Sequence, residues 1–154
     1  MPEKKMRLDD LMPLIRERLA AGQTVSFFPN GVSMLPMLRQ GRDSVELSPA
    51  PERLKKYDLP LYQRDNGQYV LHRVVAVGEG YTCVGDNQFL LEPGVERRQV
   101  IALVTAFTRD GKRIEVTDLR YQIYCRLWCA SRPIRHFWRG WLRPRLGRLR
   151  RCLK

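Results

Sequence analysis

Two residues in this chain have side chains that could together perform nucleophilic chemistry. They are a serine in a glycine turn, Ser33, and a histidine in the middle of a β-rich run, His72. A hydroxyl is a poor nucleophile at neutral pH and needs a base within hydrogen-bond reach. Imidazole, which titrates at about 6.5 when unperturbed, is largely neutral at pH 7 and can accept that proton. Either residue alone is ordinarily structural: a serine in a turn, a histidine satisfied in a core. Only their meeting would make a base-activated nucleophile, so the elements that carry them decide the matter.

The serine lies in Asn30-Gly31-Val32-Ser33-Met34-Leu35-Pro36-Met37-Leu38. Before it, Leu8, Leu11, Met12, Ile15 and Leu19 recur at three- and four-residue spacings, which predicts an amphipathic helix over about 8–21. Gly22 closes that helix, and Thr24 to Phe28 reads as a strand stopped by Pro29-Asn30-Gly31. Asp43 to Leu47 and Leu59 to Gln63 read as short strands, the second placed at an edge or a strand start by Pro60. The hairpin signal Asp65-Asn66-Gly67 leads into Gln68 to Val77, read as one long strand. Alternation sets Val70, His72, Val74 and Ala76 on one face, and Tyr69, Leu71, Arg73, Val75 and Val77 on the other. With its side chain opposite His72, Arg73 is expected in a structural ion pair rather than in chemistry. Tyr81 to Val84, Val100 to Thr108 and Arg113 to Val116 complete a curled, mainly β domain with a helix at its front.

Length and composition fit one domain with an appendage. All 16 acidic residues lie at or before Asp118, whereas the last 35 residues hold 11 of the 28 Lys and Arg. Residues 1–118 thus form a nearly neutral β domain (core about 24–117), and residues 119–154 a basic tail. In the tail Tyr121, Tyr124, Leu127, Trp128, Ile134, Phe137, Trp138, Trp141, Leu142, Leu146, Leu149 and Leu153 recur at helical spacing, interrupted by Pro133 and Pro144. The four cysteines follow no zinc-site spacing, so no metal or other cofactor is expected, and reduced thiols in a cytoplasm are the default. Neither a secretory h-region nor a run of about 18 apolar residues is present.

Three segments together carry a resemblance. Gly31-Val32-Ser33-Met34-Leu35-Pro36, Leu71-His72-Arg73-Val74-Val75 and Gly85-Asp86-Asn87 resemble the motifs of the signal-peptidase and LexA-type serine peptidases in order, spacing and strand context. The segment Tyr57-Asp58-Leu59-Pro60-Leu61-Tyr62 resembles the strand between the first two motifs, and the likeness covers roughly residues 24–108. It implies a signal-peptidase/LexA-like β fold, with Ser33 as acyl-enzyme nucleophile and its backbone N–H as an oxyanion donor. It also implies His72 as base, where bacterial signal peptidases and LexA-type proteins carry lysine; histidine there resembles the archaeal and endoplasmic-reticulum enzymes. Asp86 matches the family's acid and could orient His72, with Glu92 as a further acid. Met34 and Pro36 would shape the wall beside the nucleophile. Gly31 stands where many signal peptidases supply a second oxyanion hydroxyl.

The expected activity is that of a serine endopeptidase cleaving a signal- or leader-type peptide or preprotein. With no membrane span and no preceding DNA-binding domain expected, it would work in the cytoplasm, peripherally at the inner membrane face. The alternative is a catalytically idle peptidase-fold module whose tail binds membrane or nucleic acid. For residues 120–154 an anionic membrane surface is favoured, because bulky apolar residues at helical spacing exceed what phosphate binding needs. A third possibility is that the apolar side of the tail packs on the body.

Overall fold

A computed structural model describes residues 8–138. The order of elements is α1 (Leu8–Ala20), β1 (Val25–Phe27), β2 (Ser44–Pro49), β3 (Pro60–Gln63), β4 (Tyr69–Leu71), β5 (Arg73–Val77), β6 (Tyr81–Val84), β7 (Glu92–Val95), β8 (Val100–Arg109), β9 (Lys112–Glu115), α2 (Leu119–Ala130) and α3 (Arg132–Phe137). A 3₁₀ turn, Arg97–Gln99, precedes β8. The architecture is mainly β: two antiparallel sheets, one of six strands and one of three, with helices packed on them. No helix among the described residues is long and apolar enough to cross a membrane.

The ten-residue β8 is the spine of the larger sheet, whose order is β1-β2-β8-β3-β4. One edge of β8 pairs with β2; the other pairs first with β3 and then with β9. The smaller sheet runs β5-β6-β7. Strand alternation divides the apolar residues into two clusters on opposite faces of the β3–β4 hairpin. Leu61 pairs with Leu71 on the face that meets α1, α2 and the core of β2 and β8. Tyr62 pairs with Val70 on the other face, where the small sheet contributes Val74, Tyr81, Cys83 and Val95. Covered on both sides, β3 is buried at three of its four residues.

The run from Gln68 to Val77 is not one strand, as alternation alone predicts. It divides at His72: β4 belongs to the large sheet and β5 to the small one. The expected faces nonetheless hold across the break, since Val70 and Val74 share one cluster while Arg73 points into the other. β7 is an edge strand whose Glu-Pro-Gly-Val sequence carries no strand signal.

Arg73 is 0 % exposed and sits among the apolar side chains of the large cluster. Its Nε and Nη2 donate to the two carboxylate oxygens of Asp86, each at 2.8 Å. Nη1 donates to Tyr121 Oη and Cys125 Sγ on α2 and to the Tyr57 carbonyl, and Nη2 reaches Met37 Sδ. The structural ion pair expected for Arg73 is therefore present. Burial opposes its charge, but the Asp86 carboxylate holds the guanidinium well above its usual value, so it stays charged. The change in composition after Asp118 is not a break in packing, because Tyr121 and Cys125 of α2 complete the core of the β domain. Asp118 itself caps α2, accepting from the N–H groups of Arg120 and Tyr121. Residues 139–154 of the basic tail lie outside the described residues.

Replacing Arg73 by alanine leaves Asp86 buried without its counter-charge. We expect a loss of about 3–5 kcal/mol, read as a lower urea midpoint with an unchanged slope.

Candidate active site

Gly31, at φ +98°, takes a conformation that side chains rarely adopt and turns the chain sharply into Val32 and Ser33. The segment then winds back on itself through Leu35 N–H to the Val32 carbonyl and Leu38 N–H to the Met34 carbonyl, burying Met34, Met37 and Leu38 in the core. Ser33 is anchored from the other side by the loop after β6. Its carbonyl accepts from the Asn87 N–H at 2.8 Å, and the Asn87 side chain donates to the Val32 carbonyl at 3.1 Å.

Gly85 explains why the third motif starts with glycine. A Cβ there would stand 2.6 Å from the Ser33 carbonyl oxygen and 3.1 Å from Ser33 Cβ. The close approach of the two loops requires the missing side chain. Arg73 pairs with Val84 at the end of the β5–β6 ladder, and His72 and Gly85 are the residues that flank this last pair. Gly85 thus has Ser33 against its Cα and lies just beyond the same ladder end as His72. Ser33 and His72 line one cleft of about 310 Å³, shared with Gly31, Val32, Met34 and Gln88.

Within this cleft the Ser33 hydroxyl and backbone N–H donate to no other described residue. His72 is 4 % exposed. Its Nδ1 faces Tyr62 Oη at 3.4 Å and Glu92 Oε2 at 3.7 Å, while Nε2 makes no hydrogen bond to a described residue. Tyr62 Oη donates to Glu92 Oε2 at 2.7 Å, so towards His72 it presents a lone pair. That favours the tautomer with hydrogen on Nδ1 and leaves Nε2 as the basic atom. Glu92 is itself gripped by Arg64, whose Nε and Nη2 each donate at 2.7 Å to one carboxylate oxygen. Arg64, first, and Tyr62 hold the Glu92 carboxyl below its usual value, against burial. Burial pushes His72 from 6.5 down to about 4, with Glu92 opposing the shift. The ring is therefore neutral at pH 7.

The sequence-derived roles are redistributed in two places. Asp86, expected to orient His72, gives both carboxylate oxygens to Arg73 and makes no hydrogen bond to the histidine; the reason is that it faces the large cluster, on the side of the strand opposite the imidazole. Glu92, the second acid, stands beside Nδ1 with Tyr62 between them. Pro36, expected beside the nucleophile with Met34, is exposed and lines a separate cleft with Leu35, Asn87, Trp128, Arg135 and Trp138. Met34 does line the Ser33 cleft. Tyr62, Arg64 and Gln88 were missed. Tyr62 reads as an ordinary strand aromatic, although its position facing Val70, and hence the side of His72, was available from alternation.

Among the described residues no group of three or more His, Cys, Asp or Glu could hold a metal ion. Comparison of the chain with protein-family models, with curated proteins and with solved structures found no match.

Gly85→Ala tests the close approach. Backbone, not a flexible side chain, meets the added methyl, so we expect destabilisation by about 1–3 kcal/mol in urea unfolding. Gly78→Ala serves as the control, since a Cβ at that exposed turn would meet only the Gly80 carbonyl oxygen at 3.8 Å, an ordinary contact.

Proposed function

We propose that this protein is a serine hydrolase that works by acyl transfer, with Ser33 as nucleophile and His72 as general base. More narrowly, we read it as an endopeptidase that cleaves leader- or signal-type peptides, built on a signal-peptidase/LexA-like fold. The observation that carries the reading is the shared cleft: Ser33 and His72 both line it, with no direct hydrogen bond between them, and Nδ1 of His72 faces a tyrosine–glutamate pair, which leaves Nε2 without a partner among the described residues. The peptide part of the reading rests on the three motifs.

In this mechanism Nε2 of His72 takes the hydroxyl proton as Ser33 Oγ bonds to the substrate carbonyl carbon. The imidazolium so formed is stabilised through Nδ1–H by Tyr62 and the Glu92 charge behind it. The Ser33 N–H supports the developing oxyanion, and the Gln88 side-chain amide, in the wall of the same cleft, is the candidate second donor in place of the hydroxyl that Gly31 lacks. The imidazolium returns its proton to the leaving amine, and water then hydrolyses the acyl-enzyme by the same route in reverse. Glu92 acts through His72 as a positioning residue. Asp86 holds the loop that holds Ser33.

The test is the rate at which an alkyl fluorophosphonate acylates the full chain. Ser33→Ala should abolish labelling, and His72→Ala should slow it by roughly 10²–10⁴-fold; equal labelling of either variant removes the hydrolase reading and leaves the idle module. The acid limb should lie near the depressed value of His72, about 4, rather than at 6.5. Because the folded value is below the unfolded one, the unfolded chain binds this proton more readily. The stability that His72 contributes is therefore present above about pH 6.5 and is lost as pH falls towards 4.

Glu92→Gln separates charge from packing. Glu92 favours the imidazolium, so its neutral replacement should slow labelling and move the acid limb to still lower pH. A purely structural glutamate would leave the limb where it is.

A further inference from the structure

Helix α2 is apolar on two sides, and only one of them is used. Tyr121 and Cys125 are buried against the β domain, and Tyr124 and Trp128 stack beside them. The Trp128 indole donates to the Asp86 carbonyl at 3.0 Å, and Arg135 of α3 lies 3.7 Å above its ring. These residues fix the inward face. Leu119, Ile123 and Leu127 point the other way and are 72 %, 47 % and 65 % exposed. At about 100° per residue the three fall in an arc of about 80°, with Arg126 about 20° beyond one edge and Arg120 about 20° beyond the other. Both arginines are exposed. Beyond the turn at Ser131, α3 and its cap leave Ile134, Phe137 and Trp138 uncovered as well.

We infer that the outward face of α2 is a docking surface for an anionic lipid bilayer. A stripe of aliphatic side chains rimmed on both sides by arginine suits the boundary between acyl chains and headgroups: the leucines enter, and each guanidinium stays at headgroup level with its stem along the apolar surface. Charge decides between occupants. From Leu119 to the end the sequence contains 11 basic residues and no acid. A second copy of this chain laid on the stripe would bring arginine rims together with no carboxylate from the same helices to meet them. A nucleic acid would pair with the arginines but leave the leucines in water. Anionic lipid answers both, at about 1 kcal/mol per basic group near the surface. The inference is independent of the hydrolase reading, since it uses none of the cleft residues.

Co-sedimentation of the full chain with vesicles tests it. The chain should pellet with vesicles of mixed phosphatidylglycerol and phosphatidylcholine, not with phosphatidylcholine alone, and should release as salt rises. The double variant I123E/L127E, altered only at outward positions, should weaken binding by roughly tenfold or more with unchanged thermal unfolding and unchanged fluorophosphonate labelling. Three results would overturn the proposal: the double variant binding anionic vesicles as well as the unaltered chain, equal binding to both vesicle types, or a self-associated species that the double variant disperses. The first would move any lipid contact out of this face.

Discussion

One buried charge holds the molecule together in the region that matters. Arg73 is wholly enclosed and bonds, from one guanidinium, to the loop after β6, to helix α2, to the loop before β3 and to the methionine that follows the Ser33 turn. Such a group is costly to bury, and a well-packed apolar side chain of similar volume could match it in stability. What the apolar substitute could not do is set directions. Asp86 is drawn towards Arg73, which fixes the loop whose Gly85 and Asn87 seat Ser33. The same guanidinium ties in the inward face of α2, so the helix, the Ser33 turn and the smaller sheet share one anchor.

The two carboxylates near the site show how strand parity sorts chemistry. Arg73 and His72 are adjacent in sequence and therefore point to opposite faces. Asp86 is taken by the arginine on one face, and Glu92 by tyrosine, arginine and histidine on the other. The histidine thus has a carboxylate 3.7 Å from Nδ1, and burial remains the stronger influence on its charge. A ring kept neutral this way has Nε2 ready as an acceptor.

Much of this was legible from residue patterns. The period of Leu8 to Leu19 marks α1, β-rich runs mark β1, β3, β6 and β8, and the alternation around His72 assigns the faces correctly. The break at His72 was not legible, because no glycine or proline interrupts Tyr69 to Val77 and the division arises from tertiary pairing with two different sheets. β7 was hidden by Pro93 and Gly94, which an edge strand tolerates. Asp86 was given the wrong neighbour because a motif fixes order along the chain but not which face competes for a side chain. In α2 the apolar residues recur at helical spacing around Arg120, Gln122 and Arg126, and only packing divides its inward aromatic face from its outward aliphatic one.

His72 stands between the two ladders and belongs to neither. No pair of either ladder includes it, and its Nδ1 faces Tyr62 and Glu92. A different side chain at this position would leave the register of both sheets unchanged, since no pair of either ladder includes it.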